Sequence, residues 1–560
     1  MPRSRSAKRL KLGPIVGHTD DSSTKIWIQV SDDPNRYALR VEGAGLFPFV
    51  STEVGQREFG TAVAKAVGLR PDWSYKYRVV RMGRFVPEAR GSVRTMPSPS
   101  SMTPILFCAI SCNGGEEEGV WKNFAEFVEK SQPSFILMMG DQVYLDEDEP
   151  DIFAEHFDSK PSERRQAMAN KYRLNWSREP LRTVLANVPV YMMWDDHDVR
   201  DGWGSSAADS PTMVAKFPKG AEIFRKSTTY FEDARDVYFH FQGCRNPLLG
   251  EIRKPGSPFE PDPAFPNYIF GPPPSGIRRA MPFVFRCGRT AILALDSRGD
   301  RDVFRSKFPV LGQEQWQFID QFFATLPPDI EALAVVTPTP IASVDPHGTS
   351  MKALGDRTDD IEAFKRGDEK GTLHFDSPNG GLDTFVQAVG VLASAKIFQK
   401  TGFQPNLGNF KISNIDEARD QWSHKFARSE QEDLIRKTGR ARLANRTAGS
   451  PRGVIFLSGD IHIGAVFEIT CRNPSYKVTS LTSSGISKVE HAPASIFVGV
   501  FVDEDFAVAP GIHSTLSEVI PDFNFGVVHV QPTGNGAVVL GSVAHEGNAF
   551  AAGVDIADLI

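Results

Sequence analysis

Apolar and polar positions follow two successive spacings along the chain. From residue 12 to about 96, hydrophobic residues recur at every second position in short runs parted by turn formers, the spacing of half-buried strands. Residues 25–30 (KIWIQV) set Ile26, Ile28 and Val30 on one side and Lys25 and Gln29 on the other. In residues 69–80 (LRPDWSYKYRVV), Pro71 and Asp72 predict a turn, after which Tyr75, Tyr77 and Val79 share one face of a strand. A Pro/Ser-rich stretch, residues 97–104, closes this block.

Beyond it, unbroken apolar runs alternate with stretches of helical period. Strands are predicted over 105–110, 135–139, 188–194, 283–286, 291–296, 332–337 and 454–457, with further strand-like runs at 466–470, 478–481, 525–531 and 537–544. Helical patterns fall at 120–130, 162–186, 313–324 and 415–445. Strands alternating with helices predict an α/β fold after the β block. Two stretches interrupt the pattern. Residues 244–275 are rich in Pro and Gly and read as a long loop. Residues 344–409 carry a charged run, a Gly-Gly turn and a small apolar helix near 382–399, and read as an insertion or cap. The expected division is an N-terminal β-sandwich at 10–97 and a catalytic domain at 104–545. The corner at 69–80 resembles the L-x-P-x-x-x-Y-x-Y-x-V pattern of fibronectin-III-like sandwiches.

A length of 560 residues exceeds one ordinary core, in keeping with that division. The apolar content of 41% and charged content of 24% are those of a soluble globular protein. A net charge of −6 gives no general attraction to nucleic acid or anionic membranes, and no specific nucleic-acid site is evident. The five cysteines (Cys108, Cys112, Cys244, Cys287, Cys471) are scattered and odd in number, which argues for a reducing compartment over a disulfide framework. The basic start, MPRSRSAKRLKLGP, has no apolar segment behind it and fits neither a Sec nor a twin-arginine signal. No run approaches the roughly 18 apolar residues of a membrane span. A cytoplasmic location is therefore expected.

Candidate chemistry gathers where strands end. In FILMMGDQVYLDE (residues 135–147) a buried strand stops at Gly140, and Asp141, Tyr144 and Asp146 follow. Hard oxygen ligands at such a place suit a hydrolytic metal centre. The first strand of the α/β block runs into Ser111-Cys112-Asn113-Gly114, and the third into Asp195-Asp196-His197-Asp198. Later strands lead to Asp296-Ser297-Arg298 and to Ser458-Gly459-Asp460-Ile461-His462. In α/β folds the loops beyond the carboxyl ends of strands converge on one site. Asp and Gly after a strand are ordinarily turn formers. The three carboxylates within residues 195–198, however, repel one another unless cations or arginines balance them. The strand ends taken jointly favour a metal site.

GDQVY (140–144), WDDHD (194–198) and SGDIH (458–462), in this order, resemble the motifs of the PhoD-like (alkaline phosphatase D) phosphatases of the calcineurin-like metallophosphoesterase superfamily. YRLNW (172–176), LGQEQW (311–316) and LTSSGIS (481–487) agree, and the resemblance runs from about residue 10 to 545. GDxxY is also similar to the iron-binding segment of purple acid phosphatases. The resemblance implies an α/β/β/α sandwich that hydrolyses phosphate mono- or diesters by attack of a metal-bound hydroxide, with His197 as proton donor to the leaving group. It implies metal ligands at Cys112, Asp141, Tyr144, Asp196, Asp460 and His462, with Asp141 bridging two ions at about 3.5–4 Å. Thiolate beside phenolate suits ferric iron. The superfamily's further histidines are replaced here by Thr337 and Gly114, which shifts the second position toward calcium, with its about six to eight oxygen ligands. The implied cofactor is a binuclear or larger centre of Fe3+ with Ca2+.

Arg298 and Arg200 are candidate phosphate clamps, because a guanidinium matches phosphate oxygens in pairs; each is equally placed for an ion pair with a local acid, Asp296 or Asp201. Asp146 matches no motif position and reads as a solvated loop residue. Two other readings stay open: a binuclear hydrolase of non-phosphate esters, and a non-catalytic binding protein in which metals only brace the scaffold.

Overall fold

The computed structural model describes residues 9–53, 57–114, 118–147, 150–247, 280–348, 351, 359–373, 417–443, 452–488, 502–534 and 536–545. The apolar helix expected near 382–399 and most of the loop expected at 244–275 lie outside the described residues.

The N-terminal block forms two four-stranded antiparallel sheets. One takes the order Leu10–Thr19, Ser23–Val30, Thr61–Val67, Val50–Ser51, and the other Gly45–Pro48, Tyr37–Val41, Ser74–Arg81, Arg84–Arg94. Val16, Ile26, Ile28, Leu39, Tyr77 and Val79 fill one shared core. Tyr75, Tyr77 and Val79 are all buried, as their alternation predicts.

The expectation of a half-buried strand at 25–30 is corrected. Every residue of Ser23–Val30 is buried, because the second face of its sheet packs on the α/β block. Trp27 joins the core of that block, with its ring 5.6 Å from Phe241, and its Nε1 donates to the His240 carbonyl at 2.9 Å. The polar residues are buried with their bonds made: Lys25 Nζ donates to the Asn246 carbonyl at 2.8 Å, and Gln29 Nε2 to the Phe59 carbonyl at 3.0 Å.

The remainder is a mixed α/β fold with two further sheets. The five-stranded sheet has the order Val190–Met193, Ile136–Met139, Ile105–Ile110, Asn524–Pro532, Ala537–His545, its first three strands parallel. The eight-stranded sheet has the order Phe283–Cys287, Thr290–Ala294, Ala332–Val336, Gly453–Ser458, Ser475–Ser483, Gly464–Arg472, Ile512–Ile520, Asp505–Ala509. Its strands from Thr290–Ala294 to Ser475–Ser483 are parallel. The two sheets face each other across Phe107, Phe135, Leu137, Tyr191, Phe285, Ile292, Val336 and Leu457, with the Tyr191 and Phe285 rings stacked at 3.7 Å.

Helices cover the outer faces. Trp121–Ser131, Pro161–Trp176 and Ala221–Phe241 bury Phe124, Trp176 and Phe231 against Ile110, Met138 and Met192 of the five-stranded sheet. Gly312–Thr325 and Arg428–Leu443 bury Trp316, Phe322 and Leu434 against Leu293, Val335 and Phe456 of the other. Helix Ala221–Phe241 and the last strand pair of the eight-stranded sheet were not expected. The helix carries a core stripe at Ile223, Tyr230, Phe231, Ala234, Val237, Tyr238 and Phe241, the three-and-four spacing of a packed helix. Ile512–Ile520 is an outer strand with mostly exposed polar positions, so its apolar signal is weak.

The described part of the expected insertion docks onto this body. Helix Asp359–Arg366 buries Phe364 in the core, and Asp360 accepts two bonds from Arg419 at 3.1 Å and one from the Ala207 amide at 3.0 Å. No helix among the described residues is long and apolar enough to cross a membrane.

Candidate metal centre

Parallel strands within each facing sheet end on a common edge, and the residues after them carry the site. Ile105–Ile110 leads to Cys112, Ile136–Met139 to Asp141, Val190–Met193 to Asp195 and Asp196, and Gly453–Ser458 to Asp460 and His462. The backbone turns sharply at these points. Cys112 (φ 57), Asp141 (φ 53), Asp460 (φ 76) and His462 (φ 55) all lie in the left-handed region, uncommon for residues with a side chain. Strain of this kind persists only where surroundings enforce it, and it clusters at functional sites. Gly140, at φ 115, permits the approach: a Cβ there would lie 2.6 Å from the Cβ of Asp195.

Among the described residues three groups of ligating atoms result, each within 4.8 Å, and Asp141 belongs to two of them. One is Cys112, Asp141 and His462; the second is Asp141, Asp195, Asp196 and Asp460; the third, Asp196, His197 and Asp201, does not include Asp141. In the first, Cys112 Sγ lies 3.5 Å from Asp141 Oδ2 and 2.9 Å from Ser484 Oγ, and Tyr144 Oη lies 3.1 Å from His462 Nε2. The second holds carboxylates only, with Arg298 alongside.

The electrostatics fit cations. Asp141 Oδ1 and Asp195 Oδ2 are buried without a hydrogen-bond partner, and Asp196 Oδ1 has only the Arg298 guanidinium, 3.4 Å away and not hydrogen-bonded to it. Orphaned buried carboxylate oxygens are costly unless a cation meets them. Burial first, then Cys112 and Asp196, push the Asp141 carboxyl well above its ordinary range. Burial and Asp196 push Asp460 up to about 7. Burial pushes the Cys112 thiol up, but His462 and hydrogen bonds from Ser111 and Ser484 outweigh it and bring it to about 6. Burial, with Cys112 and Asp141 nearby, holds the Tyr144 phenol well above its usual value. These acids cannot all ionise together unless positive charge compensates them. The donor set thus suits two cations, one among sulfur, nitrogen and oxygen donors and one among oxygens alone.

The PhoD-like phosphatase family model matches residues 107–272, the stretch that contains Cys112, Asp141, Tyr144 and the Asp195–Asp198 run. Over this stretch the chain is similar to the PhoD-like phosphatases. Among solved structures, one described as the structure of PhoD matches 97% of this chain and 94% of its own, at 14% identity and a TM-score of 0.54, which shows a shared fold. A purple acid phosphatase from yellow lupin (Lupinus luteus) seeds matches more distantly, with 10% identity, a TM-score of 0.45 and coverage of 96% and 72%. No curated protein matches.

Of the residues expected from the sequence, the structure brings Cys112, Asp141, Tyr144, Asp196, Asp460 and His462 together and adds Asp195. His197 stands beside them, its ring 4.5 Å from that of Tyr144. Thr337, where the superfamily's histidine was expected to be missing, is buried and donates to the Thr339 carbonyl at 2.9 Å.

Three expectations are corrected. Asp146 is not solvated: it is buried, its Oδ1 lies 2.9 Å from His197 Nδ1, and its Oδ2 accepts the Asp201 amide. Nothing local marked it, because His197 is 51 residues away. Arg298 is not open to a substrate. It is wholly buried, held bidentately by Asp420 at 2.6 and 2.7 Å and also by Asp195, with Asp196 at 3.4 Å. Arg200 pairs with Asp209 at 2.5 Å, rather than with the Asp201 carboxylate, and lies over the rings of Phe153 and Trp203. Both arginines are committed to distant acids that reach them only in the fold.

Proposed function

We propose that the protein is a metal-dependent hydrolase of phosphate mono- or diesters. The observation that carries this reading is the double membership of Asp141 in two ligand groups. A shared carboxylate is what a two-metal phosphoryl-transfer site uses to hold its ions at about 3.5–4 Å. Cys112, Tyr144 and His462 would hold iron in the ferric state, which anionic sulfur and phenolate ligands favour. Asp195, Asp196 and Asp460, with Asp141, would hold a harder ion such as calcium. When bound, such a pair supplies a water acidified for attack on phosphorus and positive charge against the developing oxyanions.

His197 is placed to give its proton to the departing alkoxide. With Nδ1 engaged by Asp146, Nε2 is the nitrogen left for the transfer. Burial works against a charged ring, but Asp146, Asp196 and Glu147 outweigh it and hold His197 well above the ordinary histidine value. Cations alongside would pull the other way, so the Asp146 carboxylate keeps the proton on the ring against them. Asp195 is fixed by Arg298 and by its own cap of the turn at Asp196–Asp198, so the carboxylates keep their places.

The test couples elemental analysis and the visible spectrum to turnover of p-nitrophenyl phosphate and bis-p-nitrophenyl phosphate. His197→Ala is expected to keep metal and fold and to lose turnover by about 10²–10⁴-fold. Wild-type turnover by that variant would remove His197 from the mechanism. A colourless, iron-free, fully active protein would overturn the Cys112 and Tyr144 assignment.

A further inference from the structure

With Arg200 and Arg298 enclosed in ion pairs, a side-chain cation that adds to the charge of the proposed ions at the phosphoryl group would come from elsewhere. Lys488 lies at the edge of the metal centre, half-buried, its Nζ 4.9 Å from the centre of the Tyr144 ring and 2.8 Å from Glu147 Oε2. Its side chain is 22% exposed and that of Glu147 37%. We propose that Lys488 is the substrate-binding cation of this site, and that it exchanges Glu147 for the phosphoryl oxygens when an ester arrives. The proposal rests on the phosphoesterase reading above.

Three observations support it. First, the backbone beneath Lys488 is stitched to the segment that carries Cys112. The Ile486 amide donates to the Ser111 carbonyl at 3.1 Å and the Ser487 amide to the Cys112 carbonyl at 3.3 Å. Ser487 Oγ donates to Asn113 Oδ1 and to the Gly114 carbonyl, each at 3.2 Å. The anchor is therefore fixed, and the long lysine stem carries the ammonium out from it.

Second, the stem occupies ground that the sequence has cleared. A Cβ at Gly114 would lie 3.2 Å from Lys488 Cδ and 3.3 Å from its Cβ, so the absence of a side chain at 114 leaves room for the stem in its present place.

Third, the resting partner is one that can be exchanged. The pair is partly exposed, so water reaches it and screens it in part. A phosphate monoester brings more negative charge than one carboxylate, and the ammonium presents three donors without a fixed plane. Glu147 in turn keeps Lys488 beside the Tyr144 ring, where a cation also gains from the ring face.

The experiment compares the metal-loaded wild type with Lys488→Met, Lys488→Arg and Glu147→Gln. Two quantities are read: KM for p-nitrophenyl phosphate, and the affinity for inorganic phosphate by calorimetry, which needs no turnover. Lys488→Met is expected to raise KM and weaken phosphate binding about tenfold at unchanged metal content. Lys488→Arg should keep most of the affinity, and Glu147→Gln should tighten it by releasing Lys488. Unchanged phosphate affinity in Lys488→Met overturns the proposal, and so does an equal weakening in Glu147→Gln, the mark of a merely structural pair. Should Lys488→Met lose its fold, Lys488→Gln, which keeps a polar head without the charge, gives the same reading. A wild type that binds phosphate through Lys488 yet hydrolyses no phosphate ester would sink the phosphoesterase reading alone.

Discussion

Replacing Asp146 by Asn isolates the path of the catalytic proton. The amide has the shape of the carboxylate but one accepting oxygen; with that oxygen kept on His197 Nδ1, 2.9 Å from Oδ1 in the wild type, the ring loses the opposing charge and the Asp201 amide loses its acceptor. A hydrogen bond to a charged group is worth roughly 1.5–3 kcal/mol and a neutral one roughly 0.5–1.5. The difference, about 1–2 kcal/mol, is about 5- to 30-fold in rate if the bond is strongest when His197 holds its proton. The direction with pH follows from the sign. Asp146 raises the pKa of His197, so its loss lowers that pKa, and activity that needs protonated His197 disappears at a lower pH than in the wild type. The assay is kcat against pH for p-nitrophenyl phosphate and for an alkyl phosphate. The alkyl ester should suffer more, because its leaving oxygen needs the proton, whereas p-nitrophenolate departs with little help. Equal losses on both substrates with an unmoved basic limb would refute the role given to Asp146.

Further outcomes follow from features outside the proton path. Gly140→Ala combines a backbone at φ 115 with a Cβ 2.6 Å from that of Asp195, so a loss of about 2–4 kcal/mol in urea unfolding is expected, and a neutral result would mean the strand end can relax. Burial alone would raise the Asp420 carboxyl, but Arg298 and Arg301 bring it down to about 2. The unfolded chain then takes up this proton first as pH falls. The stability contributed is fully present above about pH 4 and is lost on approach to pH 2, on the order of 2 kcal/mol in all. Asp420→Asn should be less stable at neutral pH, where it leaves Arg298 buried and underpaired, yet flatter across that acid window. An unchanged slope there would mean another group carries the acid sensitivity.

The strand ends were legible in the sequence because each one writes its chemistry locally: an apolar run, a turn residue, then a ligating group. Cys112, Asp141, Tyr144, Asp460 and His462 are read in this way, and the fold then supplies only their meeting. What depended on distant partners was not legible. Asp146 reads as one more acid in an acidic loop until His197 is set against it. Arg298 reads as a phosphate clamp until Asp420, 122 residues on, closes around it. Lys25 and Gln29 read as the wet side of a strand because alternation reports polarity and cannot show that a second body covers that side. Their hydrogen bonds to the Asn246 and Phe59 carbonyls make the burial tolerable. Helix Ala221–Phe241 is a different case. Its apolar stripe is present in the sequence, but serine, aspartate and arginine between the stripe positions dilute it.

The strand order of the five-stranded sheet also sets a schedule for biosynthesis. Asn524–Pro532 pairs directly with Ile105–Ile110, the strand that leads to Cys112, and separates it from the sheet's last strand. From Ile110 to Asn524 is 524 − 110 = 414 residues of synthesis. At about 5–20 residues per second a ribosome needs roughly 20–80 s to cover them. Throughout that interval the flank of Ile105–Ile110 is an open strand edge, able to pair with a neighbouring chain. His462 also emerges late, so the nascent chain presents Cys112 and Asp141 long before the other side of their pocket exists. Capture of the proposed ions would thereby wait until the body is nearly whole, and slow elongation or early release should show up as aggregation before it shows up as low metal content.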